Sequence, residues 1–213
     1  MKVCIILNGE IQNYKFIKTI IDKEKYDYII CADGGANHTY NMGITPNYII
    51  GDLDSLKTDL ISYYKRNGVK FEEFPSKKNE TDAEICIYLA RKLKAKQIDF
   101  LGALGGRVDH TLANIYLLNY VKEMDIIPRI FSENEEIHIA IDEEIIIEGK
   151  AGDTISVIPI KGDAEGVTLK NLEYPLTDYH MKYSIPLGIS NVMKGDCCKI
   201  RVKHGALLVI KNI

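Results

Sequence analysis

The sequence predicts an α/β domain with a mostly parallel sheet, followed by an all-β sandwich domain. Two patterns carry the prediction. Over the first ~130 residues short apolar runs alternate with stretches of helical periodicity, as a parallel sheet covered by helices requires. From about Asn134 onward only short β-like runs remain, separated by Gly, Asp and Pro turns. The change divides the chain into 1–132, an α/β domain, and 133–213, a β-sandwich domain.

In order, Val3 to Leu7 reads as a strand that Asn8-Gly9-Glu10 ends. Gln12 to Lys23 reads as a helix with Phe16, Ile17, Ile20 and Ile21 on one face. Tyr28 to Cys31 is a second strand, followed by Asp33-Gly34-Gly35 and a short helix ending near Gly43. Tyr48 to Ile50 is a third, introduced by a Pro46-Asn47 turn. A helix near Leu56 to Arg66 and a strand near Val69 to Phe71 follow. After a polar loop, Thr81 to Leu93 is a helix with Ala83, Cys86, Ile87 and Ala90 at i, i+3, i+4, i+7. Ile98 to Leu101 is a strand, Gly102 to Arg107 a glycine-rich loop, and Val108 to Lys122 a helix apolar on most sides, hence expected to be buried. Ile127 to Phe131 closes this half. The β half reads as strands at Ile137 to Ile141, Glu144 to Ile147, Thr154 to Ile158, Val167 to Leu169, Cys198 to Val202 and Leu207 to Ile210.

Bulk properties narrow the function class. A net charge of −3 leaves no electrostatic footprint for nucleic acid. No apolar run is long enough to cross a membrane, and the N-terminal run is too short for a signal peptide. Five cysteines with no C-x-x-C pair support neither a zinc site nor a disulfide framework, which fits the reducing cytosol. The loop after Leu101 is neither G-x-G-x-x-G nor a Walker A sequence.

The polar residues of the first half cluster behind strands: Asp33-Gly34-Gly35, Gly51-Asp52-Leu53-Asp54-Ser55, and Gly102 to Asp109. Ligands of open α/β sheets bind beyond the carboxyl ends of the strands, so three loops point at one rim. Asp52 and Asp54, two apart, project to one side of an extended segment and invite a cation; Mg²⁺ suits such a carboxylate pair with phosphate oxygens. Equally, Asp54 or Ser55 can cap the helix beginning at Leu56. Asp82 weighs towards metal: Thr81 and Glu84 form a capping box by themselves, which leaves Asp82 for metal and Lys78 for phosphate. In Gly105-Gly106-Arg107-Val108-Asp109-His110 the glycines admit a phosphate to the backbone, the helix start supplies N–H donors, and Arg107 supplies a guanidinium fork. Asp109 can hold metal, steer a hydroxyl or stabilise the helix dipole. In the β half, Gly188-Ile189-Ser190-Asn191 is the polar spot that stands out, with an inter-strand turn as the commoner reading.

These residues occur together in a known family. Cys31-Ala32-Asp33-Gly34-Gly35-Ala36, Gly51 to Ser55, Thr81-Asp82, Gly105 to His110 and Gly188 to Asn191 have the order and approximate spacing of thiamine pyrophosphokinase, and the resemblance extends to Val202-Lys203-His204-Gly205-Ala206 and the strand after it. It implies the reaction ATP + thiamine → AMP + thiamine diphosphate, a homodimer, and an active site at the subunit interface. It implies that Asp52, Asp54 and Asp82 form the Mg²⁺ cluster, with Asp109 as an acidic partner of metal or substrate. Asp33, Gly34, Gly35, Lys78, Thr81, Gly105, Gly106 and Arg107 would lie on the ATP side, and Ser190 and Asn191 on the thiamine side. The chain departs from the family at Asn79, where Asp is frequent, in having no Trp to floor a thiamine pocket, and at Asn171, where Gly is expected; Asn tolerates a left-handed turn.

Overall fold

The computed structural model describes residues 1–73 and 80–213 and divides into two compact units, Met1–Glu133 and Asn134–Ile213. Lys78 and Asn79 lie outside the described residues.

The first unit alternates strands and helices: β1 (Lys2–Ile6), α1 (Tyr14–Glu24), β2 (Tyr28–Ala32), α2 (Gly35–Asn41), β3 (Tyr48–Gly51), α3 (Thr58–Arg66), β4 (Lys70–Glu73), α4 (Asp82–Lys92), β5 (Gln97–Leu101), α5 (Val108–Lys122) and β6 (Ile127–Phe131). The strands lie in the order β6-β5-β1-β2-β3-β4, and every pairing is parallel. The chain starts in the middle, runs out to β4, and returns on the other side of β1. The order therefore reverses between β1 and β5, where open α/β sheets bind their ligands.

Local sequence accounts for the helices. Asn13 caps α1 by accepting the Phe16 N–H, and Ile17 and Ile21 go into the core. Thr81 caps α4 with a full capping box through Glu84, while Ala83, Cys86, Ile87 and Ala90 are buried. One expectation fails at α5. Leu118 and Val121 are its buried residues, whereas Val108, Leu112 and Tyr116 are 73%, 47% and 57% exposed. An all-round apolar composition does not by itself bury a helix, since a single layer of helices covers each sheet face with one side only.

A buried polar network crosses the far end of the sheet. Asp99 on β5, 0% exposed, accepts from Arg129 Nε (2.9 Å) and Nη2 (2.7 Å) and from the Tyr26 hydroxyl (2.7 Å). Arg129 Nη2 also reaches Glu24 at 2.8 Å, and Lys2 bonds the same carboxylate. The Arg129 and Lys2 hydrogen bonds outweigh burial and hold Glu24 below the usual carboxylate range.

The second unit is a sandwich of antiparallel sheets. Its strands are β7 (Glu135–Ile141), β8 (Glu144–Glu148), β9 (Thr154–Pro159), β10 (Ala164–Lys170), β11 (Leu176–Met181), β12 (Asn191–Val192), β13 (Cys197–Arg201) and β14 (Ala206–Asn212). They form β12-β9-β14-β7 and β11-β10-β13-β8, whose inner faces share a core that includes Val157, Leu207, Val209, Val167, Leu169 and Ile200. β11 and β12 have no counterpart in the sequence reading. Leu176–Met181 buries little besides Met181, and Asn191–Val192 is two residues long, so neither shows a two-residue apolar period. Asn171 takes the left-handed conformation (φ 59°), as its place in the sequence requires.

Candidate active site

The loops behind β1, β2, β3 and β5 and the start of α4 enclose a cavity of about 940 Å³. Asp33, Asp52, Asp82, Thr81, Gly105, Gly106, Arg107 and Asp109 all line it. Gly34 and Gly35 instead pack α2 tightly against β1, Gly34 on the Asn8 side chain and Gly35 on the Ile6 carbonyl.

The acidic corner is built by two backbone features. Gly51 lies so close to Asp33 that an added Cβ would sit 2.9 Å from the Asp33 Cβ, and the Asp33 N–H bonds the Ile50 carbonyl at 2.7 Å. Glycine at 51 thus lets the loops after β2 and β3 meet. Next, Leu53 turns into the core, 9% exposed, in a left-handed conformation (φ 63°). The turn swings Asp52 and Asp54 towards each other, with the Asp54 N–H 3.3 Å from Asp52 Oδ1. Their convergence comes from this turn rather than from an extended segment. Carboxylate oxygens of Asp33, Asp52 and Asp54 lie within 4.8 Å of one another. Asp82 shares the cavity from the start of α4.

The capping alternative for this loop is not realised. α3 starts at Thr58, its cap position is Lys57, and no side chain caps it. Asp33 carries the electrostatic consequence of the cluster: burial, then the charges of Asp52 and Asp82, push its pKa up against hydrogen bonds from Ser55 and the Gly34 N–H. Its Oδ1 is buried with no hydrogen-bond partner among the described residues. A buried carboxylate oxygen without a donor, beside two further carboxylates, is a set of hard oxygen donors that fits Mg²⁺.

The opposite wall is the turn after β5. Gly105 and Gly106 are both left-handed (φ 81° and 69°), and Arg107 occupies the cap position of α5. Arg107 donates to both Asp109 oxygens, from Nε at 3.1 Å and from Nη2 at 2.5 Å. This bond, helped by the His110 N–H, lowers the Asp109 pKa to about 2. Asp109 is thereby fixed as a carboxylate and a weak proton acceptor.

Three polar lining residues, Asn8, Glu10 and Asn114, have no site role in the sequence, where Asn8 and Glu10 only end a strand. Asn8 and Glu10 follow β1, so the rule applied to the other three loops also reaches them. Asn114 bonds the Ala103 carbonyl at 2.8 Å from within α5, which no local motif signals.

In the second unit, Ser190 is left-handed (φ 57°) and its N–H meets Ser156 Oγ at 3.1 Å. Asn191 is 4% exposed and clamps Tyr174 at both ends: Oδ1 accepts the Tyr174 N–H (3.0 Å) and Nδ2 donates to its carbonyl (2.7 Å). Tyr174 is 65% exposed.

Residues 21–127 match the family model for the thiamin pyrophosphokinase catalytic domain, and residues 134–207 the model for the thiamin pyrophosphokinase vitamin B1 binding domain. Thiamine pyrophosphokinase of Bacillus subtilis is 27% identical over 184 residues, covering 86% of either chain. Thiamine pyrophosphokinase 1 of Arabidopsis thaliana is 27% identical over 212 residues, covering 84% of this chain and 75% of the relative. The fold is shared with the solved thiamine pyrophosphokinase of B. subtilis, with a TM-score of 0.88, 24% identity and coverage of 100% and 99%. It is shared too with that of Candida albicans, with a TM-score of 0.85, 22% identity and coverage of 100% and 90%. With both of its units matched to the family's two domains, the chain belongs to the thiamin pyrophosphokinase family.

Proposed function

We propose that the chain transfers diphosphate from ATP to the hydroxyl of thiamine, releasing AMP, and that the cavity behind β1, β2, β3 and β5 is where the triphosphate lies. Diphosphate transfer from ATP to thiamine is the reaction of the family to which the chain belongs. The observation that carries the reading is the Asp33, Asp52 and Asp54 carboxylate cluster, of which Asp33 and Asp52 line one cavity with Gly105, Gly106, Arg107 and Asp109, at the reversal of strand order.

Asp33, Asp52 and Asp54 would hold Mg²⁺, with Asp82 on the same cavity as a further acidic contact. Bound there, the ion would neutralise charge on the phosphates. Arg107 grips phosphate oxygens from the turn that Gly105 and Gly106 shape. Asp109 holds the guanidinium in place through both of its oxygens and lies where it can orient the attacking hydroxyl. Lys78, outside the described residues, is assigned to phosphate by sequence position. Catalysis of this kind is positioning and electrostatics.

Thiamine is assigned to the second unit through Ser190 and Asn191, the latter acting through the main chain of Tyr174 that it clamps. The chain is read as a cytoplasmic homodimer. The dimer is supported by the exposed apolar side chains of that unit, Tyr174, Tyr179, Tyr183, Ile185, Leu187 and Ile189. No helix among the described residues is long and apolar enough to cross a membrane.

The test is product analysis with ATP, Mg²⁺ and thiamine. AMP and thiamine diphosphate in equal amounts are expected, with strong loss in Asp52→Asn. ADP with thiamine monophosphate, or ATP cleavage that ignores thiamine, overturns the reading. Sedimentation of a fully active monomer overturns the dimer.

A further inference from the structure

We propose that Glu10 is a positioning residue for the triphosphate turn: by accepting the Gly106 N–H, its carboxylate fixes the backbone that presents Arg107 to ATP. The proposal rests on the reading that this turn receives the phosphates.

Main-chain pairing of β1 with β5 carries on past both strands. The Leu7 N–H bonds the Leu101 carbonyl at 2.8 Å, the Gly9 N–H the Gly102 carbonyl at 2.7 Å, and the Glu10 N–H the Leu104 carbonyl at 2.9 Å. The Glu10 side chain then reaches forward, and its Oε1 accepts the Gly106 N–H at 3.1 Å. One residue thus brackets the turn, its main chain fixing residue 104 and its carboxylate fixing residue 106. The fit is close: a Cβ on Gly105 would lie 2.7 Å from the Glu10 Cβ.

Such a clamp answers a physical need. Two consecutive glycines in left-handed conformations form the least restrained backbone available, and ordering them costs conformational entropy. A turn left loose must be ordered at the moment ATP binds. A carboxylate beside a polyphosphate site is electrostatically unfavourable, so its presence is explained by the amide it orients rather than by attraction to the ligand.

Glu10 is itself held from the other side. His38, 9% exposed, bonds the Gly9 carbonyl through Nε2 at 2.8 Å. A carbonyl only accepts, so Nε2 carries the proton and Nδ1 accepts from the Tyr14 hydroxyl at 3.0 Å. Asn41 Nδ2 donates to that hydroxyl at 3.0 Å. Burial keeps His38 neutral by lowering its pKa. Asn41, Tyr14 and His38 form one chain of hydrogen bonds that ends at the residue before Glu10.

The experiment compares Glu10→Ala with Glu10→Gln, whose amide oxygen still accepts the Gly106 N–H. Calorimetric ATP affinity is measured alongside steady-state kinetics. Glu10→Ala is expected to weaken ATP binding and raise KM for ATP about tenfold, the size of one lost hydrogen bond to a charged group at partial exposure. The thiamine KM and the melting temperature stay put, and Glu10→Gln stays close to the unsubstituted protein. Equal damage from both variants would assign the effect to charge and overturn the proposal. So would unchanged ATP affinity in Glu10→Ala, or a loss confined to kcat. ATP affinity is read without turnover: a chain that binds ATP with this pattern yet makes no AMP from thiamine refutes the function and keeps the positioning role.

Discussion

Replacing Asp33 by Asn should make the metal-free protein more stable and the enzyme inactive. Like charges on Asp33, Asp52 and Asp54 lie within 4.8 Å of one another. At that separation each pair repels by roughly 3 kcal/mol at an effective dielectric near 20. Water around the exposed Asp54 cuts the net cost towards ~1 kcal/mol. The pH sign agrees. The native pKa of Asp33 is raised above its ordinary 3.8, chiefly by burial, so folding disfavours its ionised form. Its contribution is therefore most favourable below pH 3.8 and is lost as pH rises through the raised native value. Asn removes the charge, keeps an oxygen for the Ser55 and Gly34 donors, and offers an amide to the neighbouring carboxylates. Metal-free Asp33→Asn should melt a few degrees above the unsubstituted protein at pH 7, about 1 kcal/mol, and the gap should close in acid. With Mg²⁺ at about a hundred times its Kd the unsubstituted protein gains about 2.7 kcal/mol, and the variant much less. Melting scans with and without Mg²⁺, across pH, make the measurement. A metal-free variant less stable than its parent, or an equal Mg²⁺ shift in both, refutes the reasoning.

Three further outcomes concern the scaffold. Arg129→Met leaves Asp99, 0% exposed, without its bidentate partner, and should cost about 3–5 kcal/mol in urea unfolding while sparing the ATP KM of the folded fraction. Thr81→Ala removes the capping hydroxyl of α4 and should cost about 1 kcal/mol, read by the same titration; Thr81→Ser should restore most of it. Glu136 is buried, which raises its pKa, yet His138 at 3.0 Å and Lys211 at 3.1 Å win and bring it to about 2. A depressed carboxylate stabilises the fold above its unfolded value of 4.5, and that share is lost as pH falls from 4.5 towards about 2. Glu136→Gln should flatten this part of the acid unfolding curve.

Periodicity made the layers legible. Helices and strands of the first unit fall within a few residues of where the 3.6- and 2-residue patterns put them, because each must bury one face. The rim was legible for the same reason: polar residues directly behind apolar strands have few other places to be. What the pattern could not supply is strand order. That β1 lies beside β5 is a tertiary fact, and it alone makes Glu10 a neighbour of Gly106 and puts Asn8 on the same cavity. Read along the chain, Asn8-Gly9-Glu10 only ends a strand. Asp99 escaped similarly, since its partners Tyr26 and Arg129 are 73 and 30 residues away.

The acidic loop shows how close such readings run. On spacing alone, Gly51 to Ser55 served helix capping and metal binding equally well. What decides between them is neither aspartate but Leu53, whose side chain goes into the core and forces the left-handed turn that brings Asp52 and Asp54 together and delays α3 to Thr58. An apolar residue between two carboxylates reads in sequence as spacer. In the fold its burial offsets part of what two converging carboxylates cost, and a cation in the corner would offset the rest by neutralising their charge.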